Sequence, residues 1–188
     1  MVAPTNLPSI SAVIAEFRRA HREPARASSG VLGLLLALHH NNVVQWTRED
    51  AARRDDADDR AVATAKRDID ALNAKRHELV EAIDAMLASS LDQNPAAPPV
   101  TESPAMVFDR LSVLVLRMCF TEDALSSHRV DRDLYAARLP VLRQQLAVLQ
   151  EGLEGLFDDV RSGRKRFLPY QSLKLYGSDA TRHRRDSS

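Results

Sequence analysis

The run VLGLLLALHHNNVVQWTREDAAR, Val31 to Arg53, begins as an almost unbroken apolar helix and then fills with His, Asn, Trp, Glu, Asp and Arg, with no proline to interrupt it. At about 100° per residue, Leu32, Leu35, His39, Asn42, Trp46 and Asp50 fall within roughly 80° of one another on a helical wheel. The face that starts as core therefore continues as polar side chains, and polar groups turned toward a core require hydrogen-bond partners or a ligand.

The same three-to-four spacing of apolar residues recurs along the whole chain, while alternation of the kind strands need is absent. With only 6 glycines and 28% charged residues, the pattern predicts an all-α fold, a single-domain helical bundle of about five helices. A first helix starts near Asn6 or Ser9 and buries Ile10, Val13, Ile14 and Phe17. The second runs from Ser29 to Arg53, and the acidic turn RDDADDR leads into a third over 58–88. SLDQNPAAPPVTESP, with its prolines, must be an irregular connector. Ser103 caps and Pro104 opens a fourth helix to about Phe120, apolar nearly all round and therefore central. A fifth covers 131–161, where Pro140 should kink or divide it. The bundle domain is expected over 1–177, ending in the basic and aromatic segment GRKRFLPYQSLKLY, with a frayed tail at 178–188.

Composition narrows the partners. The 188 residues carry 26 Lys plus Arg against 26 Asp plus Glu, so no global field draws in nucleic acid or an anionic membrane. The absence of a long apolar window or a secretory start predicts a cytoplasmic chain. The lone Cys119, in VLVLRMCF, reads as a small core residue. The oligomeric state stays open, a homodimer included.

Arg76 interrupts the apolar series of the third helix, and Asp70, Asn73, His77 and Asp84 form a polar row beside it. If a short turn near Ala57 makes the second and third helices antiparallel, residues whose numbers sum to about 113 lie level. His39 then faces the turn from Asn73 to His77, and Asn42 and Trp46 face 68–73. Glu49 and Asp50 fall some 20 Å or more from Glu81 and Asp84, which excludes the facing carboxylate quartet of a helical nucleotide pyrophosphohydrolase. A ferritin-like site is excluded because Glu-x-x-His does not occur. Gly-rich phosphate loops, nucleophile elbows and zinc spacings are absent too.

These residues carry a resemblance. The second helix with His39, Asn42, Trp46, Glu49 and Asp50, the block IDALNAKR with Asp70, Asn73 and Arg76, then Glu81 and Asp84, TESPAMVFDRLSVLVLR with Asp109, Arg110 and Ser112, and the ending with Gly163, Arg166, Phe167, Tyr170, Lys174 and Tyr176 together resemble a bacterial family known as domain of unknown function 4254, over about Leu32 to Tyr176. His77, Glu78 and Pro169 depart from its pattern. The resemblance implies an all-helical fold, supplies no reaction, and points toward sugar and cell-surface polysaccharide metabolism.

Two readings of function follow. In the first, a pocket between the second, third and fourth helices binds or processes a small anionic ligand, a phosphorylated sugar or a nucleotide-like molecule. His39 would be the acid or base, Asp70 its carboxylate partner, Asn42, Asn73 and Trp46 the orienting groups, and Arg76, Arg166 and Lys174 the anion contacts. Arg76 can instead pair with an internal carboxylate, Asp70 or Asp109. His77 and Glu81 supply two metal ligands with no third at their level, so no metal is assigned, and the cofactor stays unknown. In the second reading the same residues form a satisfied polar core in an interaction or scaffold protein of a glycan or secondary-metabolite pathway.

Overall fold

A computed structural model describes residues 8–23, 27–53, 58–127 and 132–173. Within them the chain forms five helices: α1 (Ile10–Arg22), α2 (Gly30–Ala52), α3 (Asp59–Ser90), α4 (Pro104–Ser126) and α5 (Arg132–Arg161). Residues 54–57 of the acidic turn, Lys174, Tyr176 and the tail from 178 lie outside the described residues. No helix among the described residues is long and apolar enough to cross a membrane.

Local chemistry sets the helix starts. Ser9, Asp58 and Ser103 each accept a hydrogen bond from a first-turn N–H of the helix that follows, satisfying donors that no carbonyl inside the helix can reach. One expectation needs correction and another is narrowed. Helix α4 continues through TEDALS to Ser126, six residues past Phe120; the Thr121 hydroxyl donates back to the Arg117 carbonyl and Ala124 is buried, so the polar letters still carry a packed face. Helix α5 runs undivided through Pro140. That proline is exposed, so water can satisfy the carbonyl its ring releases.

The helices form two antiparallel hairpins, α2 with α3 and α4 with α5, and α1 packs across α4, α2 and α5. The first hairpin has the expected register: the Asn41 amide donates to the Leu72 carbonyl at 3.1 Å, and Gln45 donates to Asn73 at 3.1 Å. Phe17, Leu35, Leu38, Ile83, Phe108, Leu153 and Phe157 are fully buried between the layers. Removing such side chains from water is the main favourable term of folding, worth about 1.5–3 kcal/mol for each large one.

The connector and the C-terminal arm are tied together beneath the bundle. Gly163, at φ +70, turns the chain out of α5, where a side chain would be strained. Arg166 then bridges the connector: its N–H donates to the Pro98 carbonyl at 3.2 Å and its carbonyl accepts from Val100 at 2.8 Å. Phe167 is buried in the core. Asp84, with 0% exposure, closes this knot, one oxygen accepting the Ala105 N–H and the other the Tyr170 N–H, each at 2.9 Å. Burial pushes its carboxyl pKa up, while the hydrogen bonds from Ser103, Tyr170 and Ala105 pull it down.

Asp84→Ala leaves two N–H donors without an acceptor and should lower unfolding free energy by roughly 2–4 kcal/mol, Asp84→Asn by about half as much. Urea denaturation measures both; an unchanged midpoint for Asp84→Ala would show that the knot contributes nothing.

Candidate anion-binding site

Helix α4 is apolar on most of its circumference, so Asp109 and Ser112 must find partners on neighbouring helices. They find them on α2 and α3. Asn42 donates to Asp109 at 3.0 Å and to the Ser112 hydroxyl at 3.1 Å. The Arg76 guanidinium grips Asp109 through Nε, at 2.8 and 2.9 Å to the two oxygens, and through Nη2. His39 Nδ1 meets the Ser112 hydroxyl at 2.9 Å. A chain of polar contacts thus runs from His39 through Ser112, Asn42 and Asp109 to Arg76, from the core to the surface. Of the two carboxylates expected for Arg76, the structure selects Asp109.

The polar row of α2 is therefore turned differently from the expectation. His39 and Asn42 face α4, and the residues that meet α3 are Asn41 and Gln45, one position away on the wheel. His39 has 0% exposure and its ring stacks on Phe17 of α1 with centroids 4.4 Å apart. Its Nε2 makes no well-formed hydrogen bond among the described residues; burial, the largest cause, takes the pKa down to about 4 against a smaller upward pull from the nearby Phe17 backbone. A base that is uncharged at neutral pH and walled off by Phe17 does not meet a ligand, so His39 belongs to the core. Asp70, expected as its partner, is exposed and pairs with Lys66 at 3.6 Å; it lies on the outer side of α3, and Ser112 takes the place assigned to it.

The other expected residues separate. Asn73 accepts from Gln45 in the seam between α2 and α3. Trp46 stacks on Phe120 with centroids 5.2 Å apart. Arg166 donates to the Ala97 carbonyl at 2.9 Å and so braces the connector. Lys174 is outside the described residues.

Of the expected anion contacts, Arg76 reaches an open cavity. A cleft of about 540 Å³ between α3, α4 and α5 is lined by Arg76, Arg110, Arg117, Gln144, Gln145 and four apolar side chains, with no carboxylate on its wall among the described residues. Asp109 orients Arg76, and Glu102 holds Arg110 at 2.6 Å. Arg117 has no ion-pair partner among the described residues. A smaller cleft of about 280 Å³ shares Arg76 and Arg110 and adds Asn73, His77, Glu102, Asp109 and Tyr170, with the Tyr170 hydroxyl on His77 Nδ1 at 2.8 Å. Guanidinium forks held by carboxylates behind them, beside one left unpaired, suit the oxygens of a phosphate or carboxylate. Arg117, Gln144 and Gln145 were not anticipated. The available signal was Arg110 and Arg117, seven residues apart on one face of an otherwise apolar helix.

The buried histidine has a consequence for pH. An unfolded histidine titrates near 6.5 and His39 in the fold at about 4, so between these values the unfolded chain binds the extra proton. Stability contributed by the neutral ring is present above about pH 6.5 and falls, by roughly 3 kcal/mol in all, as pH drops toward 4. Denaturant midpoints across this window should decline more steeply for the wild type than for His39→Gln; parallel profiles would refute the assignment.

A family model described as "Protein of unknown function (DUF4254)" matches residues 33–168. Neither the curated proteins nor the solved structures hold a significant match. The matched span contains α2 from its fourth residue on, all of α3, α4 and α5, and every described residue that lines the arginine cleft. The chain therefore belongs to the DUF4254 family.

Proposed function

We propose that the chain is a binding protein for a small phosphate-bearing molecule, a sugar phosphate or a nucleotide, held in the arginine cleft. The observation that carries this reading is the convergence of Arg76, Arg110 and Arg117 from two helices on one cavity whose lining, among the described residues, includes no carboxylate. Two of the three are already charge-balanced by Asp109 and Glu102, which lowers the desolvation needed to keep them in place and fixes their direction. Arg117 is then the group with a whole positive charge to offer. Gln144 and Gln145 supply amide donors and acceptors for hydroxyls, and Val113, Leu114, Val148 and Leu149 give the apolar floor that a sugar or base edge requires. We assign binding and no reaction, because the histidine that could move a proton near this network is sealed in the core.

The test is thermal denaturation of the full chain with inorganic phosphate, glucose 6-phosphate and ATP. At least one should raise the midpoint in a saturable way. Arg117→Met should weaken that ligand about tenfold to a hundredfold with little change in the unliganded midpoint, since one charge-assisted contact is worth roughly 1.5–3 kcal/mol. Arg76→Ala should do both, abolishing the response and lowering stability by roughly 1–3 kcal/mol as Asp109 and Asn42 lose their partner. A flat response to all three ligands would leave the network as a device that sets helix register, as a scaffold protein requires.

A further inference from the structure

Between α2 and the first half of α5 the bundle leaves a gap. The second half of α5 packs Leu146, Leu149, Leu153 and Leu156 on the core. Its first half keeps Leu134 and Val141 48% and 53% exposed, and the backbones of α2 and α5 do not come together among the described residues. A cavity of about 1010 Å³ lies in this gap, with α4 as its floor. It shares Arg117 and Gln145 with the arginine cleft. The other α4 residues of the cleft precede Arg117 and those of the larger cavity follow it, so the two lie end to end with Arg117 at the junction. Their chemistry differs. The cleft has no aromatic side chain among the described residues, whereas the larger cavity takes Trp46 from α2, Phe120 from α4 and Tyr135 from α5. These rings are held in place: Trp46 and Phe120 stack with centroids 5.2 Å apart, and the Arg138 guanidinium carbon sits 5.8 Å from the Tyr135 centroid.

We propose that the two cavities form one site for a nucleoside di- or triphosphate, with the phosphates in the arginine cleft and the base in the aromatic cavity. The assignment rests on the binding of phosphate proposed above and narrows its ligand to a nucleotide. The order of groups along α4 matches the order along such a molecule. Arg110 and Arg117 are about 10 Å apart on the helix axis, a length that a chain of two or three phosphates with their oxygens spans, and Phe120 stands about 5 Å beyond Arg117, with room between them for a ribose. Arginine forks take the phosphate oxygens, and aromatic rings take the face of a base. The walls also select a base over the alkyl chain of a lipid phosphate. An alkyl chain would press against the carboxylates of Asp50 and Asp123, which line the aromatic cavity, and strip them of water without return. The amino group on the edge of a base donates to a carboxylate while its faces meet the rings.

Trp46 is the sole tryptophan of the chain, so the intrinsic fluorescence of the full protein reports on the aromatic cavity. Titration compares ATP with inorganic tripolyphosphate, which carries the phosphates and lacks the base, with emission corrected for absorption by ATP. ATP should change the Trp46 emission in a saturable way. Tripolyphosphate should raise the thermal midpoint, leave the emission unchanged, and bind about tenfold to a hundredfold more weakly than ATP, the loss expected for one stacked base. Tyr135→Ala should weaken ATP about tenfold and leave tripolyphosphate as in the wild type. If ATP raises the midpoint with no change in emission, or if Tyr135→Ala leaves ATP affinity untouched, the base does not occupy the aromatic cavity; this inference then fails while the binding of phosphate stands. Emission that responds to dodecyl phosphate and not to ATP would give the cavity to a lipid phosphate and overturn the nucleotide. A flat midpoint and flat emission with both ligands would overturn the nucleotide together with the phosphate site.

Discussion

The Asp109 carboxylate is the point on which the arrangement depends. A charge set on the central helix of a bundle is stable only if opposite charge and hydrogen-bond donors surround it, and here Arg76 comes from α3 and Asn42 from α2. One carboxylate therefore fixes the rotation of both helices of the α2–α3 hairpin against α4. It also aims the Arg76 guanidinium at the cleft. Packing of leucines would tolerate a helix turned by some tens of degrees; this network does not, because its members lose their bonds as soon as the faces slip.

Asp84 does for the chain ends what Asp109 does for the centre. Placed near the end of α3, it holds the first turn of α4 and the arm that follows α5 by two backbone N–H groups. The negative charge sits at the positive end of the α4 dipole, which offsets part of what its burial costs. The arm that carries Phe167 into the core and Tyr170 onto His77 thereby becomes part of the bundle and forms the wall of the smaller cleft. Stability and site geometry are consequently coupled: both acidic knots hold the walls between which Arg76, Arg110 and Arg117 converge.

Much of the fold was legible because it rests on local rules. The 3.6-residue periodicity, the Ser9, Asp58 and Ser103 caps, and the proline cluster between α3 and α4 mark five helices within a few residues of where they lie. The antiparallel pairing of α2 and α3 followed from turn length alone, and Asn41 with Leu72 confirms its register. The partner of Arg76 was also within reach, since only a few carboxylates sit inside apolar runs. The direction of the α2 row was not legible. The face of α2 that carries Asn41 and Gln45 lies about 100° from the one that carries His39 and Asn42, and which of them meets α3 depends on where α1 lies, which no periodicity in α2 records.

The sequence by itself determined which segments are helical, which faces are apolar, and that polar groups continue inward from Leu38; each of these follows from spacing and side-chain chemistry within one element. Only the tertiary structure decided what those groups meet. Phe17 of α1 packs on His39, and burial there takes it out of neutral-pH proton chemistry. Arg117 of α4, Arg76 of α3 and Gln144 of α5 come together across gaps of dozens of residues. Contacts of that range arise from the packing of whole helices, whose relative rotation is settled by all their faces at once.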